Sequence, residues 1–369
     1  MTSTTNRRFW TVAAAAGVAA TVLGGSTAVA ATQANATGIS LPAGFTATVF
    51  AAGGKTITGP DDITKLDDNL FVAYQNGVGA MGEPAPSGAT ASTVVEYDTH
   101  GTQVASWTLT GKVDGLGADP TRDRVIATVN EDGNSSLYTI APREHSHDRA
   151  AHGVTHYQYS PNPLPHGGGT DSVVVRDGTI FITASAPAAD ANGTTFSGPA
   201  LFTATLADGT ATVTPVLRDN SVATDAVTGK PVTLNLSDPD SSEIVPRSAP
   251  RFGGDVLLDS QGDGELIFLA HPGRHGQRAT VLSLSTQVDD TTFATATRGT
   301  LYVVDSPNNR VIAIHGPFHR GQSFGSVPSG SPTPTVLGNV DLNTGTVTTF
   351  ATGFASPKGL LFIPSGDDA

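Results

Sequence analysis

Short acidic segments recur along the chain at the start of apolar runs. They are Asp61-Asp62-Ile63, Asp114-Gly115-Leu116, Asp171-Ser172-Val173 and Asp289-Asp290-Thr291, with Ser242-Glu243-Ile244 as a weaker member and Lys358-Gly359-Leu360 as the last. If these segments repeat one structural position, Asp61, Asp114, Asp171 and Asp289 converge as a ligand-binding set. Lys358 takes the corresponding place in the final repeat. Carboxylates brought together repel one another unless a cation or hydrogen-bond donors neutralise them. Oxygen-only donors suit Ca2+ or another divalent cation. The plainer use of each Asp is to accept backbone N–H groups in the turn before its strand.

His166 stands before a glycine run, His166-Gly-Gly-Gly-Thr-Asp171, and glycine lets backbone approach a ligand closely. A His–Asp couple there would supply a catalytic general base; the alternative is a sharp loop that needs glycine. The stretch Val129-Asn-Glu-Asp-Gly-Asn-Ser-Ser136 is dense in oxygen donors but lacks the spacing of an EF-hand, and it reads as a turn between strands. His145, His147, His152 and His156 fall in and after the polar loop 142–153, spaced too loosely to define a transition-metal site. Nucleophile elbows, HExxH, phosphate loops and dinucleotide fingerprints are absent, and with no cysteine there is no thiol nucleophile.

The elements that would position these residues are strands. Short β-branched or aromatic runs alternate with Gly, Asn and Asp turns, and no stretch after the first thirty residues carries 3.6-residue apolar periodicity. Hairpins are predicted over 173–182 around Asp177-Gly178, over 201–216 around Asp208-Gly209, and over 340–350 around Asn343-Thr344-Gly345. A strand recurs as LFVAYQ from Leu70, VIATVN from Val125, TIFITAS from Thr179, DVLLDS from Asp255 and TLYVVDS from Thr300, and the acidic starts lie about 47 to 71 residues apart. Such a period predicts an all-β, single β-propeller of six four-stranded blades. The sixth unit stops after one strand, 359–363, and the spare strand at 44–51 would complete the last blade and leave no open edge. Five or seven blades, a β-sandwich or two all-β domains are the other arrangements the pattern admits. The loops 75–91 and 321–334 are expected to run over one face.

The run Gly299-Thr-Leu-Tyr-Val-Val-Asp-Ser-Pro-Asn-Asn-Arg-Val-Ile-Ala-Ile314 resembles the NHL repeat, in which a strand ends in an Asp-Ser turn and an Asn-Arg pair opens the next. The segment Asp114-Gly-Leu-Gly-Ala-Asp-Pro-Thr-Arg-Asp-Arg-Val-Ile-Ala-Thr128 is similar to the same family and to the regucalcin/gluconolactonase-like propellers. That resemblance implies a divalent metal at the channel mouth, held by Glu, Asn and Asp side chains. Carried onto this chain it points to Asn130, Glu131 and Asp171 with Asp114. Gly59-Pro60-Asp61 offers Asp where the family's early inner-strand Glu would be expected.

Residues 1–30 have the order of a secretory signal: Arg7 and Arg8, a small apolar run, then Ala28-Val29-Ala30. The apolar run is shorter than the roughly 20 residues that span a bilayer. A flexible segment 31–40 and the propeller 41–369 are expected to follow. The adjacent arginines partly match a twin-arginine signal, so either Sec or twin-arginine export would deliver a secreted, extracellular protein. The formal net charge is −13, and loss of Arg7 and Arg8 with no acid moves it to −15. So acidic a chain has no electrostatic footprint for nucleic acid or anionic membrane. Two functions follow as expectations for a monomer. One is a binding or scaffold module that takes a small ligand, glycan or protein at the channel mouth. The other is a divalent-metal-dependent hydrolase or lyase with Asp61, Asp114, Glu131 and Asp171 as ligands and His166 as base. Whether the protein is an enzyme stays open at this stage, and nothing specific supports a cofactor-dependent oxidoreductase.

Overall fold

The computed structural model describes residues 33–34, 37–142 and 153–366. The expected signal, residues 1–30, and three of the four clustered histidines, His145, His147 and His152, lie outside them. Among the described residues there is no α-helix, only a 3-10 turn at Pro120–Arg122. The second strand of each repeat is buried along most of its length because neighbouring sheets cover both of its faces. Leu70 to Tyr74 and Val125 to Val129 are entirely buried. Outermost strands such as Gln103–Thr110 alternate between partial burial and exposure.

Four-stranded antiparallel arrays follow in order. Sheet I holds Pro60–Leu66, Asn69–Tyr74, Ala91–Tyr97 and Gln103–Thr110, and sheet II holds Val113–Asp119, Arg124–Val129, Ser136–Ile140 and Val154–Ser160. Sheet III holds Val173–Arg176, Thr179–Thr183, Pro199–Ala207 and Thr210–Arg218. Its outer edge pairs in parallel with that of sheet II, Gln158 opposite Thr210. Sheet IV holds Pro239–Ile244, Val256–Ser260, Glu265–Ala270 and Arg278–Ser283, and is widened by the small hairpin Val222–Asp225 and Pro231–Thr233. The innermost strands of successive sheets pack against one another, and the last, Pro357–Pro364, packs back against the first, Pro60–Leu66. This closed circuit is a β-propeller.

The final two sheets depart from the expected order. The strand Asp290–Phe293 does not pair with the one that follows it; it pairs with Ser323–Val327, which continues through Val336–Val340 to Val347–Ala351 as sheet V. The intervening strands Arg298–Asp305 and Arg310–Pro317 cross into sheet VI, between Pro357–Pro364 and the N-terminal strand Thr46–Ala52. The expectation that the TLYVVDS strand belongs to the unit begun at Asp289 is therefore corrected, and the last sheet is not short of strands. The reason lies in the turn. Asp67, Asp123 and Asp177 take positive φ and close the first hairpins of sheets I to III. The connection Ala294-Thr295-Ala296-Thr297 has no Gly, Asn or Asp and no positive φ, so it runs on instead of folding back. The expected surface loop 321–334 is corrected likewise: Ser323–Val327 within it is a fully buried strand.

In both segments that carry the family resemblance, an Asp and an Arg bind across the turn. Arg310 Nη2 lies 2.9 Å from the buried Asp305, and Arg124 Nε lies 3.0 Å from the buried Asp119.

Closure is fastened by aromatic packing. Phe45, just ahead of the N-terminal strand, meets Phe318 and Phe350 edge-on at centroid distances of 5.1 and 5.0 Å; Phe318 in turn contacts Phe324 and Phe362. Ile39 and Leu41 are buried in the same cluster, and Ser40 exchanges backbone hydrogen bonds with Thr352. A Cβ on Gly316 would stand 2.1 Å from the Phe45 ring. Gly316→Ala is therefore expected to lower stability by about 1–3 kcal/mol through overpacking. A urea midpoint equal to that of the unchanged protein would show that Phe45 is not the fastening.

Candidate functional site

The innermost strands of sheets I, II, IV and VI start irregularly in the same way. Two residues of the inner strand face one of its partner between Pro60 and Ile63, between Val113 and Leu116, between Pro239 and Ser242, and between Pro357 and Leu360. Such bulges re-aim side chains at the rims of closed sheets. The first bulged residue is Asp61, Asp114, Asp240 or Lys358, and Asp171 and Asp289 precede the innermost strands of sheets III and V. These six line one cavity of about 550 Å³ at the channel mouth.

The structure thus brings the sequence-derived set Asp61, Asp114, Asp171, Asp289 and Lys358 together. It also adds one residue. In sheet IV the matching position is Asp240, not the Ser242-Glu243-Ile244 segment. The signal was available: Pro239-Asp240 repeats the Pro60-Asp61 and Pro357-Lys358 pattern.

Eleven carboxyl-bearing residues and two lysines line the cavity, so charge compensation decides its chemistry. Lys112 Nζ lies 2.8 Å from Asp114 Oδ1 and also contacts Glu131. Lys358 Nζ lies 2.5 Å from Asp289 Oδ1, which Gln261 meets at 3.0 Å. Burial disfavours both ammonium ions, yet these carboxylates hold Lys112 and Lys358 protonated, above the usual lysine range. Against the burial that would raise it, Lys112 keeps the Glu131 carboxyl below its ordinary range. Burial pushes Asp171 and Asp240 well above theirs; they hydrogen-bond each other, and Asp171 also bonds Glu131. Two carboxyls in contact must share a proton. Asp114 is raised by burial and then by Glu131, with Lys112 opposing, and its Oδ2 is buried without a partner.

The residue that follows these mouth-facing ones stitches one sheet to the next. Asp62 accepts the N–H of Ile63 and, through Oδ2 at 2.6 Å, that of Leu116 in sheet II. Asp290 does the same for Thr291 and for Leu360 in sheet VI. Hydroxyls serve the middle of the ring: Thr128 bonds the Asp171 carbonyl, and Ser172 Oγ meets Ser242 Oγ at 2.8 Å. Gly115 occupies the same position where a Cβ would stand 2.5 Å from the Asp171 carbonyl.

His166 is buried, and its Nε2 donates to the carbonyls of Gly169 and Ser185, holding the glycine loop closed. It does not line the cavity. Asn130, at φ 68°, accepts the Lys112 N–H through Oδ1 and donates to the Asn134 carbonyl. Of the residues implied as metal ligands, Asp114, Glu131 and Asp171 reach the cavity, whereas Asn130 fixes the loop that carries Glu131. With Lys112 between Asp114 and Glu131, and Asn130 occupied by backbone partners, this set does not fit a divalent cation. Among the described residues no three His, Cys, Asp or Glu side chains are placed to hold one. The loop 75–91 docks on the same segment, where Asp132 N–H donates to the Ala80 carbonyl.

No protein-family model matches this sequence, and no curated protein does. Among solved structures, the chain is similar to a candidate 6-phosphogluconolactonase from Bacteroides uniformis, at 11% identity over 89% of this chain and 92% of that one, with TM-score 0.46. It is similar to a periplasmic gluconolactonase from Pseudomonas aeruginosa at 14% identity, over 82% and 88%, with TM-score 0.42. Hydrazine synthase from Kuenenia stuttgartiensis matches at 13% identity, over 79% and 69%, with TM-score 0.38. At such scores the assignment of fold and site stands on the chain's own geometry.

Burial is the first cause that raises Asp61 to about 6, and Asp62 and Glu243 to about 7. Carboxyls with raised folded-state values bind more protons folded than unfolded, so stability falls as pH rises from the ordinary carboxyl range to about 7. The melting temperature is expected to rise when pH is lowered from 8 to 5. A decrease over that interval would mean that these groups are ionised in the folded protein.

Proposed function

We propose that this chain is an exported, monomeric, six-bladed β-propeller that serves as an extracellular binding module. Its mouth takes a small ligand presenting ammonium or hydroxyl donors. The carrying observation is the excess of carboxyls over lysines around one cavity, together with the partnerless Asp114 Oδ2. Donors on a ligand would satisfy acceptors that the fold leaves incompletely neutralised. Export by the Sec or twin-arginine route accords with residues 1–30. Calorimetry at neutral pH with an aliphatic diamine and with a neutral monosaccharide tests the reading. One of them is expected to bind, and Asp114→Asn or Asp240→Asn should each weaken it about tenfold, the scale of a lost charge-assisted hydrogen bond. Failure of both probes to bind would remove the proposal.

A second reading, hydrolysis, is favoured by one observation, the Asp171–Asp240 contact. A carboxyl that holds the shared proton and a carboxylate that accepts one would stand side by side as acid and base, without a metal. On a panel of lactones and esters, Asp171→Asn should then cut any turnover by about a hundredfold, as expected for loss of an acid–base group. Turnover that survives the change excludes this role.

A further inference from the structure

A second cavity, of about 240 Å³, lies between sheets III and IV at the end of the strands opposite the acidic mouth. Its position follows from strand direction. Asp171 precedes the innermost strand of sheet III at the mouth, and Arg176 ends that strand at the far end. His271 follows Glu265–Ala270 at the corresponding far end of sheet IV, where Leu269 pairs with Val256. Arg176, Arg274 and His271 line the cavity, with Phe181 and Val216 among its apolar walls. In a chain of net charge −13, this wall stands out by its two guanidinium groups.

The cavity is built, not left over between loops. Gly273 N–H donates to Gln277 Oε1 at 2.6 Å, and Gln277 Nε2 reaches across to the Val216 carbonyl of sheet III at 2.8 Å. Arg274 N–H bonds the His271 carbonyl, so the turn carrying both side chains is fixed on its neighbour sheet. Arg176 is incompletely satisfied. Its Nη1 is buried without an acceptor, and its Nε lies 3.7 Å from Asp177 Oδ2, beyond hydrogen-bond distance. Asp177 lines the cavity and is largely exposed. Asp255 is the other nearby acid, close enough to sense Arg176, Arg278 and His271.

We infer that this cleft is an anion site, independent of the acidic mouth, which receives the carboxylate or phosphate of a small molecule on Arg176 and Arg274. A guanidinium presents paired N–H donors that match the oxygens of either group. The apolar walls would meet the uncharged remainder of the ligand.

The probes are succinate and inorganic phosphate, titrated by calorimetry at low ionic strength. At least one is expected to bind. Arg176→Gln and Arg274→Gln should each weaken binding about tenfold, and Asp114→Asn should leave it unchanged. Which probe binds distinguishes a carboxylate from a phosphate ligand. Asp177→Asn supplies a test that does not depend on losing affinity: asparagine tolerates the positive φ of this turn, and removing the acid should tighten binding severalfold. The inference is overturned if neither probe binds, if the doubly substituted Arg176→Gln/Arg274→Gln protein binds as well as the unchanged one, or if Asp177→Asn leaves affinity where it was.

Discussion

Carboxylates crowded at the mouth of a closed β-channel cannot all be ionised, and much of this structure follows from how that repulsion is relieved. At an effective dielectric constant near 20, two unit charges 4 Å apart repel by about 4 kcal/mol. Three means of relief coexist within one cavity. Lys112 and Lys358 supply fixed positive charge to Asp114, Glu131 and Asp289. Asp171 and Asp240 share a proton. Asp62 and Asp290 each accept two backbone N–H groups, one of them from the next sheet.

The last of these ties site and fold together. The bulge that turns Asp61, Asp114, Asp240 and Lys358 toward the mouth also leaves backbone groups off the regular ladder. The carboxylates and hydroxyls beside them bind that backbone in the neighbouring sheet. Ring closure therefore both creates the electrostatic problem and is reinforced by its solution. With no disulfide available, the first and last strands of the circuit are held by strand pairing and by phenylalanine packing around Phe45. The crossing of strands between sheets V and VI carries the closure further into the chain, because the N-terminal strand pairs with Arg310–Pro317 and the C-terminal strand with Arg298–Asp305.

Two sites of opposite sign at opposite ends of the strands have a simple origin. The innermost strands of sheets I to IV begin at one end and turn at the other, so residue types at the start and at the turn are sorted onto different faces. Asp171 and Arg176 are only five residues apart, yet they face different cavities.

The repeated strands, the turns at Asp177-Gly178 and Asp208-Gly209, and four of the five aspartates that recur at the strand starts were legible in the sequence because each depends on local pattern: a β-branched or aromatic run, a residue able to take positive φ, an acid before a strand. Even Asp240 had a local sign in its preceding proline. Partnership over long range had no such sign. Only the folded chain placed Lys112 between Asp114 and Glu131, set Asp171 against Asp240, turned His166 inward to two carbonyls, and sent Arg298–Asp305 across to another sheet. Those outcomes depend on which strands become neighbours when the circuit closes. A local pattern fixes how a segment folds, but not which segment it will touch.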